Sequence, residues 1–183
     1  ASSKSFNKIN VEKWLIVRFK VNRLPDLHIV DRYMETVKHL GVENDKKGLD
    51  FFIPKEDEIK AQEFNARLEN GFIAFAIGAR HNTKKLPPEK IISICSKIDK
   101  PIVLIGGKGD EVIGKQIEKA VPNAINACGK LRLGQSASLV QQSDAVITHD
   151  TGMMHIAAAF GKKVISVWGN TIPEFGMYPY LPQ

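Results

Sequence analysis

The sequence predicts an α/β fold in which helices cover both faces of a parallel sheet. Three observations predict it. Short, unbroken apolar runs recur between residues 71 and 176, and helix-spaced sequence follows most of them. Such runs mark strands buried on both faces, whereas strands with one wet face alternate. The chain, 183 residues with 43 % hydrophobic and 25 % charged, has the composition of an ordinary globular protein.

The elements follow in order. Residues 1–50 hold one strong apolar segment, Trp14-Leu15-Ile16-Val17-Arg18-Phe19, and a predicted helix over 26–40 stopped by Gly41. They contain no complete core and are expected to be the remnant of an upstream domain or an interdomain connection. Asp50-Phe51-Phe52-Ile53-Pro54 is expected to be a short strand closed by proline. Residues 56–70 carry Ile59, Phe64 and Leu68 at helical spacing and end at Asn70-Gly71. From Phe72 the alternation is regular. Strands are predicted over 72–77, 102–105, 124–127, 145–148 and 164–167. Helices are predicted over 88–98, with proline in the first turn, and over 111–121, 135–142 and 153–160, the last stopped by Gly161. Right-handed crossovers make this arrangement Rossmann-like.

Charge and composition exclude several function classes. No run of about 18 apolar residues exists, and the first ten residues carry no apolar signal-peptide core. The chain does not begin with Met, so a fragment or a processed chain is expected. Cys95 and Cys128 lack CxxC or Cys/His spacing, so free thiols are expected and no zinc site. The net charge of +6 suits an anionic partner. Basic residues are scattered, with no helix-turn-helix or RNP-like aromatic pattern, which argues against nucleic acid.

The unusual residues all follow the carboxyl ends of predicted strands: 80–85, 108–111, 129–131, 149–155 and 169–171. Ligands of open parallel sheets bind at that edge, where helix starts also offer free N–H groups to anions. The sharpest stretch is Asp150-Thr151-Gly152-Met153-Met154-His155, before an alanine-rich helix. Gly152 permits close backbone approach, Thr151 and the first helical N–H groups can hold a phosphate, and Asp150 can accept from sugar hydroxyls. Simple helix capping by Asp150 or Thr151 is the competing reading. An aspartic protease is rejected, because Asp-Thr-Gly occurs once and inside a βαβ pattern.

Arg80-His81-Asn82-Thr83-Lys84-Lys85 can neutralise a diphosphate or form a solvated basic loop. Gly106-Gly107-Lys108-Gly109-Asp110-Glu111 offers a tight turn and a carboxylate for ribose hydroxyls, or simply an acidic first helical turn. P-loop spacing from Gly109 to Lys115 is rejected, since Gln116 stands where Ser or Thr is required. His149 and His155 are first expected to pack or cap, and Met153 and Trp168 to line core or pocket.

Together, Thr83-Lys84-Lys85-Leu86-Pro87, Glu111, Asp150-Thr151-Gly152 with His155-Ile156-Ala157-Ala158-Ala159, and Trp168-Gly169-Asn170-Thr171-Ile172-Pro173-Glu174 resemble glycosyltransferase family 9, the ADP-heptose:lipopolysaccharide heptosyltransferases. The resemblance implies a GT-B architecture. Residues 51–183 would be the C-terminal sugar-nucleotide-binding domain, and 1–50 the remnant of an N-terminal acceptor domain. It implies inverting transfer of heptose from ADP-heptose to the lipopolysaccharide inner core, without metal or cofactor. Lys84 would contact diphosphate and sugar, and Glu111 the ribose. The backbone near Leu131 would flank adenine. Asp150, Thr151, Gly152 and His155 would frame phosphate and heptose. Thr83 and Arg80 join the donor-binding set, Arg80 at a position where small polar residues are also usual.

Two departures qualify this. The family's glycine-rich opening loop and catalytic aspartate are not present, so no general base is named and the chain alone is expected to be inactive. Leu86 also replaces the family's aromatic residue. A GT-B sugar-nucleotide epimerase and a non-catalytic nucleotide-binding module are the alternatives. The expected place is the cytoplasm, with any membrane contact peripheral and on the inner face of the inner membrane.

Overall fold

Ile102–Ile105 is buried along its whole length, as a run of four apolar residues in mid-sheet must be. It is β2 of a five-stranded sheet in the computed structural model, which describes residues 5–181. The strands are β1 (Ile73–Ala76), β2, β3 (Ala124–Asn126), β4 (Ala145–His149) and β5 (Lys163–Val167). All pair in parallel, in the order β3-β2-β1-β4-β5. The chain works outward from β1 to β3, then crosses back to β4 beside β1. The switch point therefore lies between the carboxyl ends of β1 and β4.

Strand side chains alternate between two cores. Ala74, Val103, Ile125 and Val146 pack on one face with Leu139 and Val140 of α6 (Leu133–Gln142) and Ala157 of α7 (Gly152–Ala159). Phe75, Leu104 and Ile147 pack on the other with Ile91 and Cys95 of α4 (Pro88–Cys95) and Ile117 of α5 (Glu111–Ala120). Both cysteines are free, as expected, and both are buried. Burial pushes the Cys95 thiol up to about 11 and Cys128 to about 12, so neither offers a thiolate at neutral pH.

Residues 50–70 depart from expectation. The stretch 50–54 forms no strand, because no neighbour pairs with it, and Phe52 is 84 % exposed. The expected helix over 56–70 breaks into a turn at Lys55–Asp57, the short helix α3 (Ala61–Phe64) and a turn at Ala66–Leu68. Its backbone bonds go elsewhere. Ser138 Oγ accepts from Ile59 N and donates to Ile59 O, while Gln142 Oε1 accepts from Ala61 N. Asn65 then caps the Ala66–Leu68 turn with its own side chain.

At the other end of the chain, the apolar segment around Trp14 lies in α1 (Asn10–Phe19), which buries no residue. Helix α2 (Ile29–Val37) continues through Lys38–Leu40 to Gly41, whose φ of 76° closes it as expected. The C-terminal tail is strapped onto α2. Ile29 N donates to Gly176 O at 2.7 Å, Arg32 Nη2 to Phe175 O at 3.0 Å, and His28 Nε2 meets Tyr178 O at 2.8 Å.

Candidate nucleotide site

The five strands deliver their following loops to one edge of the sheet. The loop after β1 carries Gly78 to Leu86, and that after β2 carries Gly106 to Asp110. Leu131 follows β3, Asp150 and Thr151 follow β4, and Gly169 to Thr171 follow β5. Between them lies a cavity of about 470 Å³. Ala76, Ile105, Gly78, Gly106 and Gly107 line it from the ends of β1 and β2. Leu131, Leu133, Met153 and Ile156 make an apolar slot, while Asp110, Ser136, Thr151 and Gly152 supply the polar side. A flat base beside charged phosphates would meet those two surfaces in turn.

Helix α7 starts at this cavity. Thr151 precedes it in extended conformation, and no side chain caps the helix. Capping is therefore not what Asp150 or Thr151 does here. The first N–H groups of α7 are left for an anion, and the helix dipole favours one there. Gly152 adds room, since a Cβ there would meet nothing within 4 Å.

One residue before Thr151, the Asp150 carboxylate gathers two donors. Lys84 Nζ is 2.6 Å from Asp150 Oδ2, and Thr171 Oγ1 donates to the same oxygen at 2.8 Å. Asp150 is buried and Lys84 half-buried, so the pair feels less screening than a surface ion pair. The loops of Lys84 and Thr171 also touch directly: a Cβ on Gly169 would lie 2.5 Å from Thr83 O. Only glycine permits that approach.

His149 supports the same loop from below. It is fully buried, and its Nε2 accepts from Leu86 N at 3.0 Å. An accepting Nε2 requires the neutral ring. Burial lowers its pKa, and this outweighs the nearby Gly78 backbone, which acts in the opposite sense. His155, half-buried on α7, is lowered chiefly by burial, and His28 adds to the effect.

The residues expected at the site therefore divide. Leu131, Thr151 and Gly152 line the cavity, while Lys84 and Asp150 lie outside its lining and pair with each other, Asp150 directly before Thr151 in sequence. His155 lies one turn along α7. Arg80 and Thr83 are exposed and line no part of it. Glu111 lies outside the lining, and its carboxylate pairs with Lys115 at 2.7 Å, which holds it below the usual carboxylate range. Asp110 stood in the expected glycine stretch, but the role there was given to Glu111. Asp110 lines the cavity, and its signal was its place at the end of the Gly106–Gly109 turn.

A slightly larger cavity, about 530 Å³, lies between α2 and the tail, lined by His28, Asp31, Tyr178 and Tyr180 among others. No strand end reaches it, so the sheet-edge cavity is the better candidate. Among the described residues no group of three or more His, Cys, Asp and Glu could hold a metal ion.

The family model of glycosyltransferase family 9 (heptosyltransferase) matches residues 5–182. The chain belongs to glycosyltransferase family 9. Within the family it is similar to lipooligosaccharide heptosyltransferase 2 of Haemophilus ducreyi, at 27 % identity over 90 % of this chain and 48 % of that one. Its likeness to the Haemophilus influenzae protein of the same name is 31 % over 58 % of this chain and 34 % of that one. The crystal structure of a family 9 glycosyltransferase from Veillonella parvula superposes with a TM-score of 0.73 at 27 % identity, covering 91 % of this chain and 52 % of that one. The chain thus spans about half the length of these family members or less.

Proposed function

We propose that this chain is the sugar-nucleotide-binding part of an inverting, metal-independent heptosyltransferase that moves heptose from ADP-heptose to the lipopolysaccharide inner core. The observation that carries the reading is the Lys84–Asp150–Thr171 cluster beside an uncapped helix start at the switch point. The apolar slot at Leu131 and Met153 takes the adenine, and Ser136 lies beside it. The start of α7, with Thr151 and Gly152, seats the diphosphate. Lys84 faces both the diphosphate and the sugar. Asp150 accepts from heptose hydroxyls, and His155 borders them. Glu111 reaches the ribose from the rim, and Arg80 and Thr83 complete the donor-binding set on the loop that carries Lys84.

In the reaction an acceptor hydroxyl oxygen bonds to the anomeric carbon as the bond from that carbon to the phosphate oxygen breaks. The hydroxyl proton passes to a base, and ADP carries away the electron pair. Lys84 stabilises the charge gathering on the leaving diphosphate. No residue of this chain is assigned as the base. Residues 51–183 form the donor domain in this reading, and 1–50 belong with the acceptor side. The enzyme works in the cytoplasm and touches the inner membrane peripherally. Exposed Val11, Trp14, Val17 and Phe19 on α1, beside Lys13 and Arg18, suit that contact. Among the described residues no helix is long and apolar enough to cross a membrane.

Titration calorimetry with ADP, UDP and ADP-heptose tests the proposal. ADP should bind more tightly than UDP. Equal or tighter binding of UDP overturns the assignment of the donor.

A further inference from the structure

Lys84 and Lys85 are neighbours in sequence but serve different loops. Lys84 turns to Asp150 after β4, while Lys85 Nζ reaches Asp110 Oδ1 after β2 at 2.7 Å. The next residue, Leu86, is tied through its N–H to His149. Three consecutive residues thus pin the basic loop across the switch point.

Asp110 occupies an odd place for a carboxylate. It is only 7 % exposed, yet it lines the cavity in which the diphosphate is expected. Its Oδ2 accepts from Gly107 N at 3.0 Å, which shapes the glycine turn. It is wedged tightly there: a Cβ on Gly78 would lie 2.5 Å from Oδ2, and a Cβ on Gly106 would lie 2.8 Å from Asp110 Cβ. A bare carboxylate at this position would repel an incoming diphosphate through a poorly screened medium. Lys85 is the cation placed to cancel it.

We propose that Lys85 and Asp110 form a charge-cancelling brace: Asp110 shapes the wall of the nucleotide cavity, and Lys85 both fixes the basic loop and hides the Asp110 charge from the diphosphate. Both are positioning residues: Asp110 shapes the wall and Lys85 cancels its charge, and neither is assigned a bond to the substrate. The proposal rests on the donor-site reading given above. It differs from a plain stabilising ion pair in one respect. Losing Lys85 alone exposes a negative charge, whereas losing both charges does not.

The experiment is calorimetry of ADP and of adenosine with the wild-type chain, Lys85→Met, Asp110→Asn and the double variant, with thermal unfolding in parallel. Lys85→Met should weaken ADP roughly ten-fold or more while adenosine changes less than about two-fold, because only ADP carries the repelled charge. Adding Asp110→Asn to Lys85→Met should recover most of that loss. Should Lys85→Met not fold, Lys85→Gln, which keeps a hydrogen-bond donor for Asp110 but no charge, carries the same expectation. A double variant as weak as Lys85→Met, or a parallel loss of ADP and adenosine, overturns the brace. Wild-type protein that fails to bind ADP overturns the donor-site reading and the brace with it. Normal ADP binding by wild type and Lys85→Met alike overturns the brace alone.

Discussion

Lys84 and Asp150, 66 residues apart in sequence, meet at 2.6 Å beyond the carboxyl ends of β1 and β4. Each is the other's ion-pair partner in the unliganded chain. A diphosphate would compete with Asp150 for the Lys84 ammonium, and a sugar would compete with Lys84 for the carboxylate. This exchange gives a prediction with two signs. Asp150→Asn should leave ADP affinity unchanged or raise it, because Lys84 no longer shares its charge. Its affinity for ADP-heptose should fall by about 1.5–3 kcal/mol, the range for a hydrogen bond to a charged group. Lys84→Ala should weaken both ligands. It should also lower the melting temperature more than Asp150→Asn does, since it leaves the buried Asp150 carboxylate without its cation, whereas Asp150→Asn leaves only the half-buried Lys84 unpaired. Calorimetry and thermal unfolding of the two variants check this. Normal ADP-heptose binding by Asp150→Asn removes Asp150 from the sugar site.

Helix α7 supplies a second prediction. A capping threonine replaced by alanine loses about 1 kcal/mol. Thr151 makes no capping bond; its hydroxyl lies 3.3 Å from that of Thr148. Thr151→Ala should therefore change stability by less than about 0.5 kcal/mol, as substitutions away from special features do. Its nucleotide affinity should still fall, because Thr151 lines the cavity. Urea unfolding measures the first quantity and calorimetry the second. A full capping loss would show that the residue serves the helix rather than the ligand.

The sheet was legible because its strands are apolar throughout and their helices carry clear stops. Predicted and observed strand limits differ by no more than a residue at either end, as at 72–77 against Ile73–Ala76. Residues 50–70 were not legible. Their backbone partners, Ser138 and Gln142, lie about 80 positions away, and no local pattern encodes them. At the site, Thr151 and Gly152 stood out because a glycine after a strand and before a helix has few other uses. Asp110 did not, because an acid near a helix start is ordinary, and only the folded glycine turn shows that it faces the cavity. Glu111, one residue on, drew the attention instead and points to Lys115.

His149 sets a pH dependence. Its folded pKa lies below the ordinary value of 6.5 because burial disfavours the imidazolium. As pH falls through 6.5, the unfolded chain takes up a proton that the folded chain refuses. Stability from this group is thus complete above 6.5 and is lost on acidification toward the folded pKa. His28 and His155 shift in the same direction. The melting temperature should drop between pH 7.5 and 5.5. His149→Gln, which keeps an acceptor for Leu86 N, should reduce the slope. An unchanged slope in the variant would mean that His149 titrates normally.

Nucleotide binding should survive chelation. The chain has no Asp-x-Asp motif, and the diphosphate is assigned to Lys84 and the α7 N–H groups. ADP affinity measured in EDTA should equal that in Mg²⁺ within about two-fold, a difference of roughly 0.4 kcal/mol. Affinity that collapses in EDTA and returns with Mg²⁺ or Mn²⁺ would show that a metal carries the phosphate charge.

Two glycines at this edge should respond to a methyl group in opposite ways. Gly169→Ala places a Cβ 2.5 Å from Thr83 O, against backbone that cannot rotate away. It should force the β1 and β5 loops apart, lowering both melting temperature and ADP affinity. At Gly152 a Cβ meets nothing within 4 Å, and the residue begins α7. Alanine favours helix over glycine by up to about 1 kcal/mol, so Gly152→Ala should leave the unliganded protein as stable or more so. The added methyl sits at the start of α7, where the phosphates are assigned closest approach to the backbone. ADP affinity should then fall roughly ten-fold or more, equivalent to about 1.4 kcal/mol. Stability and affinity should thus move apart in Gly152→Ala and together in Gly169→Ala. A Gly152→Ala protein that melts normally and binds ADP normally would place the phosphates away from α7.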